Sequence, residues 1–154
     1  MAESDAALFD AGLFIGALLR DDPRHTEAYP LVEAARRGSL RACTTVGILS
    51  EVYAALTWEK AMPPHSPQRA AEVVRLLVEP PSAIEVLPTG NRAGLLMLDI
   101  VVEHNLTARR THDAKHAAAA LVAGVRQVYT YDITDWHAFE DNGLQVVGPR
   151  SVLD

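Results

Sequence analysis

Five short β-like runs, Ala6 to Phe9, Arg41 to Thr44, Ile84 to Leu87, Gln127 to Tyr131 and Leu144 to Val147, alternate with longer stretches of helical periodicity. Parallel strands need a crossover of a dozen or more residues, usually a helix, so this alternation predicts a three-layer α/β/α domain with a mainly parallel sheet of about five strands. At 154 residues with 49% hydrophobic and 22% charged side chains, the chain is expected to form a single domain over 1–154 with its own core.

The helical stretches are punctuated by recognisable starts and stops. Helices are predicted over Ala11–Arg20 and Arg24–Arg37, the second stopping at Gly38 and carrying Pro30 as an internal warning of a kink. A third runs from Val46 to Lys60, with Ile48, Leu49, Val52 and Leu56 as its apolar stripe. Ser66 and Pro67 start a helix to Val78 after the loop Met62–Pro67, and Pro80-Pro81 ends it. Thr89 is expected to cap a helix to His104, in which Leu95, Leu98 and Val102 read as core. Thr111 is expected to cap the last long helix, which passes through Ala117–Ala120 and stops at Gly124.

This layout sets Asp10 and Asp132 at the carboxyl ends of strands, where open α/β sheets bind their ligands. Each acid has a simpler role available. Asp10 can cap the helix after it, Asp113 can complement a helix dipole from its first turn, and Asp132, with Thr134 and Asp135 following, can belong to a turn. Glu51 is less easily explained away, since Ile48 and Ala55 flank it on its helix face. Together, two acids at strand ends and two on neighbouring helices can converge on one edge of the sheet. Their mutual repulsion is relieved by Mg²⁺ or Mn²⁺, hard ions that prefer oxygen ligands and can activate water at a phosphodiester.

Four segments carry a family resemblance: Phe9-Asp10-Ala11-Gly12-Leu13-Phe14-Ile15, Ser50-Glu51, His112-Asp113-Ala114-Lys115-His116-Ala117-Ala118-Ala119, and Tyr129-Thr130-Tyr131-Asp132-Ile133-Thr134-Asp135-Trp136. They resemble, in order and over nearly the whole chain, the four motifs of PIN-domain nucleases, and among these the VapC toxins most. The resemblance implies a Mg²⁺- or Mn²⁺-dependent endoribonuclease, usually a homodimer, restrained by a VapB-like antitoxin. It assigns Asp10, Glu51, Asp113 and Asp132 to the catalytic acids, with Asp10 and Asp113 touching metal most directly and Asp135 as reserve for the fourth acid. It also implies a protruding helical clip at about 62–80, with a helix pair around Ser66 to Val78 serving dimer and antitoxin contacts. Gly12 departs from the pattern, because many members carry Ser, Thr or Asn there.

Other features limit the partners. A net charge of −6 argues against a broad nucleic-acid-coating surface but is compatible with an acidic pocket rimmed by arginines. Arg36, Arg37, Arg41, Arg109 and Arg110 are the candidate phosphate contacts, with solvated surface charge as the plain alternative for each. Trp136 and Tyr131 are expected in a packed core or interface more than on a base. His112 and His116, spaced as in zinc proteases, are expected at a solvated rim, since Asp replaces the usual Glu and no third ligand is evident. Cys43, the lone cysteine, is expected to be a small buried side chain in a reducing compartment. Acidic residues Glu3, Asp5 and Asp10 precede the apolar stretch Ala11–Leu19, so no export signal is expected, and with no membrane-length apolar run the expected location is the cytoplasm. The alternative function is a non-catalytic module of the same fold whose acidic pocket receives basic partner segments.

Overall fold

The computed structural model describes residues 4–154; Glu3 and the rest of 1–3, part of the expected domain, lie outside the described residues. The chain runs β1 (Ser4–Phe9), α1 (Ala11–Leu18), α2 (His25–Arg37), β2 (Ala42–Thr45), α3 (Val46–Thr57), α4 (Pro67–Val78), β3 (Glu85–Leu87) and α5 (Asn91–Glu103). It continues through α6 (Arg110–Val122), β4 (Val125–Tyr129), α7 (Ile133–Trp136), a 3-10 turn (His137–Asn142), β5 (Gln145–Gly148) and α8 (Arg150–Leu153). The strands form one parallel sheet in the order β3-β2-β1-β4-β5.

Ala6 to Phe9 of β1 and all of β2 are buried, as central parallel strands must be when helices cover both faces. The buried side chains form one contiguous cluster around this sheet. Ala117 to Ala120 of α6 are all buried, and their small side chains let that helix lie close to its neighbours. Gly38 ends α2 in the left-handed conformation at φ 81°, where its N–H reaches the carbonyls of Ala34 and Ala35. Pro30 leaves α2 unbroken and sits on its exposed side. Ser66 caps α4 by accepting from the Arg69 amide, with Pro67 at the first helical position.

Five expectations need correction. Leu95, Leu98 and Val102 are not core, being 66%, 53% and 80% exposed. Helix α5 is apolar nearly all round, and the stripe that faces inward is Ala93, Leu96, Met97, Ile100 and Val101. Thr89 and Thr111 do not cap: Gly90 precedes α5 without a side-chain cap, and Arg109 precedes α6, so Thr111 lies inside the first turn. The fourth strand is Val125–Tyr129, two residues earlier than predicted, because the chain turns away at Thr130, whose hydroxyl accepts from the Asp132 amide at 3.0 Å. Within 62–80 there is a single helix, α4, packed against α3, in place of the expected pair.

The sheet order fixes where a site can form. From β1 the chain moves outward through β2 and β3, then crosses back to β4 on the other side of β1. Their loops part above the β1–β4 junction, the switch point at which such sheets bind ligands.

Candidate active site

Register brings the first two groups together. Phe9 pairs with Tyr129, so the next residues of each strand, Asp10 and Thr130, stand side by side. The Asp10 amide donates to the Tyr129 carbonyl at 3.0 Å, and Thr130 Oγ1 donates to Asp10 Oδ2 at 2.8 Å. Asp10 Oδ1 accepts from the Ala11 amide at 2.9 Å, so Asp10 also caps α1. Burial pushes the Asp10 carboxyl above the ordinary range; the Thr130 and Ala11 hydrogen bonds and the nearby His116 ring pull it back, while Glu51 pushes it up.

Glu51 comes from the second turn of α3, which is aimed by Thr45. This last residue of β2 caps α3 by accepting from the Ile48 amide at 3.1 Å. Thr45 Oγ1 also lies 2.9 Å from His116 Nδ1, and His116 Nε2 lies 3.1 Å from Glu51 Oε1. With a neutral ring, the arrangement that satisfies all three groups has Thr45 donating to Nδ1 and Nε2–H donating to the carboxylate. His116 is 1% exposed, which corrects its expected place at a solvated rim. The reason is Gly47, where any Cβ would lie 2.7 Å from the His116 ring, so the missing side chain lets the ring in. Both of its nitrogens are engaged, whereas His112 is exposed.

Asp113 lies in the first turn of α6, near enough to the other acids to feel their charge. Its carboxyl is pushed up to about 7, first by burial, then by the negative charges of Asp10, Glu51, Asp132 and Asp135. Asp132 is exposed and precedes α7 without capping it. Asp135 is drawn toward Arg110, whose Nε is 3.8 Å from Oδ1 and whose Nη2 donates to the Asp135 carbonyl at 2.9 Å.

Of the candidate phosphate contacts, Arg36 is committed to Glu33 and the Leu76 carbonyl, Arg41 is paired with Asp5, and Arg110 serves Asp135. Arg37 and Arg109 are exposed. Trp136 is buried, as expected, and Tyr131 is half-buried with its hydroxyl donating to Glu27 at 2.8 Å. Cys43 is buried and its thiol is pushed up to about 12, chiefly by burial, so it is unreactive.

Sequence reasoning missed Thr130, Thr45, His116 in its buried role, and Arg24. Thr130 and Thr45 had local signals, a hydroxyl two residues before an Asp in a turn and a hydroxyl directly before the predicted helix start at Val46. Arg24 folds back on Asp22 through Nε and Nη2, at 2.9 and 2.8 Å, and lies 5.4 Å from the Tyr131 ring centre.

An α/β domain that gathers carboxylates at the switch point of a parallel sheet is thus the class that fold and site define. The PIN domain family model matches residues 7–138, and the chain belongs to the PIN domain family. Among solved structures it is similar to VapC20 of Mycobacterium tuberculosis, a sarcin-ricin loop cleaving toxin, at 19% identity and TM-score 0.69, covering 94% of this chain and all of that one. It is also similar to a toxin-antitoxin complex from Klebsiella pneumoniae (18%, TM-score 0.63, 94% and 98% covered). A third is DNA-bound VapBC from Salmonella typhimurium (18%, TM-score 0.63, 96% and 98% covered). At such identities the likeness is one of fold. No curated protein sequence matches the chain.

Proposed function

We propose that this protein is a divalent-metal-dependent endoribonuclease, the toxin of a VapBC-type pair, with Asp10, Glu51, Asp113 and Asp132 as its catalytic acids. The observation that carries the reading is Asp10, buried at the carboxyl end of β1 with both oxygens hydrogen-bonded, beside an Asp113 whose carboxyl is pushed up by burial and by the charges of Asp10, Glu51, Asp132 and Asp135. Such a pocket is unfavourable by itself and favourable around a cation.

Among the described residues no three His, Cys, Asp or Glu side chains are drawn close enough to enclose an ion as placed. The donor set nevertheless suits Mg²⁺ or Mn²⁺, which prefer oxygen, and Mg²⁺ uses one or two carboxylates while keeping several waters. Asp10 and Asp113 would be those two. When bound, such an ion supplies a polarised phosphodiester and a water of lowered pKa. The chain's own part is to hold the carboxylates in place: Thr130 and the Ala11 amide fix both Asp10 oxygens, and His116 fixes Glu51. Asp132, exposed at the mouth, is free to meet ion-bound water or substrate.

The cytoplasm is the proposed location; no helix among the described residues is long and apolar enough to cross a membrane. A VapB-like antitoxin and a second copy of the chain are the proposed protein partners. The exposed stripe Leu95, Leu98 and Val102 on α5 supports an association surface.

The test is cleavage of total RNA with Mn²⁺ and with EDTA. Cleavage is expected with Mn²⁺ alone, and at least a hundredfold loss for Asp10→Asn and Asp113→Asn at unchanged melting cooperativity. Full activity in a folded Asp10→Asn protein would remove the mechanism. Metal-independent absence of cleavage in the wild type would favour the non-catalytic binding module.

A further inference from the structure

Position 12 faces a cation that none of the four motifs contains. A Cβ built on Gly12 would lie 2.9 Å from Arg24 Nη1 and 3.3 Å from the Tyr131 ring, so the guanidinium occupies the space this glycine leaves two residues after Asp10. It is held there from two sides. Asp22 takes Nε and Nη2, and its own side chain is only 10% exposed, while the Tyr131 ring lies against the guanidinium. Tyr131 is in turn anchored through Glu27, which accepts from the Ser151 amide at 3.0 Å and the Ser151 hydroxyl at 2.6 Å.

This clamp uses one edge of the fork and leaves the other. Among the described residues no hydrogen bond is made by Nη1, and the Arg24 side chain is 34% exposed, so that edge reaches solvent. Asp132 is near enough for its charge to act on Arg24. A guanidinium with its rotamer already fixed loses little freedom on taking a phosphate oxygen. The five arginines singled out from the sequence offer no equal, since three of them are committed elsewhere and two are free surface side chains.

We propose that Arg24 is a phosphate-binding residue: seated in the space that Gly12 leaves, it offers its free Nη1 edge to a backbone phosphate of single-stranded RNA at the rim of the acidic pocket. The proposal rests on the nuclease reading of the same pocket. It also gives position 12 a role, since a larger residue there would collide with the guanidinium and displace it.

The test is anisotropy binding of a fluorescein-labelled, mixed-sequence 20-nucleotide RNA to the full chain in EDTA over a KCl series, for wild type, Arg24→Gln, Arg24→Lys and Gly12→Ala. One phosphate contact on a single strand contributes about 0.7 to the slope of log affinity against log salt. Arg24→Gln is expected to bind roughly fivefold more weakly with a slope lower by about that amount, and Arg24→Lys to keep most of the slope. Gly12→Ala leaves the Arg24–Asp22 pair chemically intact and suits a helix, so it guards against a folding defect. It is expected to show the Arg24→Gln loss while still melting in one cooperative transition, since the closest collision is with the far end of one side chain. Equal slopes in wild type and Arg24→Gln, or no binding by either, overturn the proposal. A parallel cleavage assay in Mn²⁺ keeps the two readings apart. Wild type that binds through Arg24 but does not cleave sinks the nuclease reading and leaves the phosphate site. Cleavage with unaltered KM in Arg24→Gln sinks the phosphate site and leaves the nuclease.

Discussion

Asp10 does two jobs with two oxygens, capping α1 with one and accepting from Thr130 with the other, and neither excludes the other. A buried carboxylate is tolerable only while its acceptor sites are filled. Thr130→Val keeps the shape and removes the donor, and also leaves the Asp132 amide without its partner. It is expected to cost about 1–3 kcal/mol in urea melts and to lower Mn²⁺-dependent cleavage at least tenfold, with Thr130→Ser recovering most of both. Wild-type cleavage by Thr130→Val would show that Asp10 needs no orienting donor. Asp10 could be picked from the sequence because an acid at a strand end stands out. Thr130 could not be weighed, because its value comes from the register between two strands 120 residues apart.

Helix α3 shows how one glycine decides a contact between elements. Gly47 lets the His116 ring of α6 reach both Thr45 and Glu51. Alanine favours a helix by nearly 1 kcal/mol over glycine. At position 47 that gain meets a pinned, buried ring at 2.7 Å. Gly47→Ala is therefore expected to be net destabilising by about 1–3 kcal/mol. Gly94 in α5 has nothing within 4 Å of its Cβ position, so Gly94→Ala is expected to stabilise by about 0.5–1 kcal/mol. Chemical denaturation of both variants checks the pair, and the same sign for both would refute this account of Gly47. The apolar pattern of α5 fitted two stripes, and periodicity alone has no means of choosing between them. If the outward stripe is the dimer face, Leu98→Lys is expected to halve the mass measured by light scattering. An unchanged dimer mass would remove this face from the interface.

For the whole molecule, acid crowding links stability to pH. Asp113 in the folded chain holds its proton up to about pH 7, whereas an unfolded aspartate releases it near 3.9. Between those values the folded state binds more protons, so this contribution to stability is fullest below about pH 4 and falls as pH rises toward 7. Asp10, also raised, acts with the same sign. Asp22, lowered chiefly by its hydrogen bonds from Arg24, acts oppositely, but only near and below about pH 4. Glu27 is pushed up by burial but brought lower on balance by Ser151 and Tyr131, and it shares that acidic window. In EDTA the Tm is thus expected to fall from pH 5 to pH 8, with Asp113→Asn flattening the profile. A Tm that rises over that range in the wild type would contradict the crowding of acids described above.

The sequence by itself determined the layered class of the fold and the five parallel strands within a residue or two, and it singled out the four acids proposed for the site. The fold is written in local periodicity, and the acids stand out through their joint placement at strand ends and on the neighbouring helices. Tertiary structure alone decided which face of α5 turns inward, that His116 is buried against Glu51, that Thr130 holds Asp10, and that Arg24 fills the space beside Gly12. Each of these depends on register, helix rotation or a missing Cβ meeting a distant side chain, and such distances arise only when the elements pack.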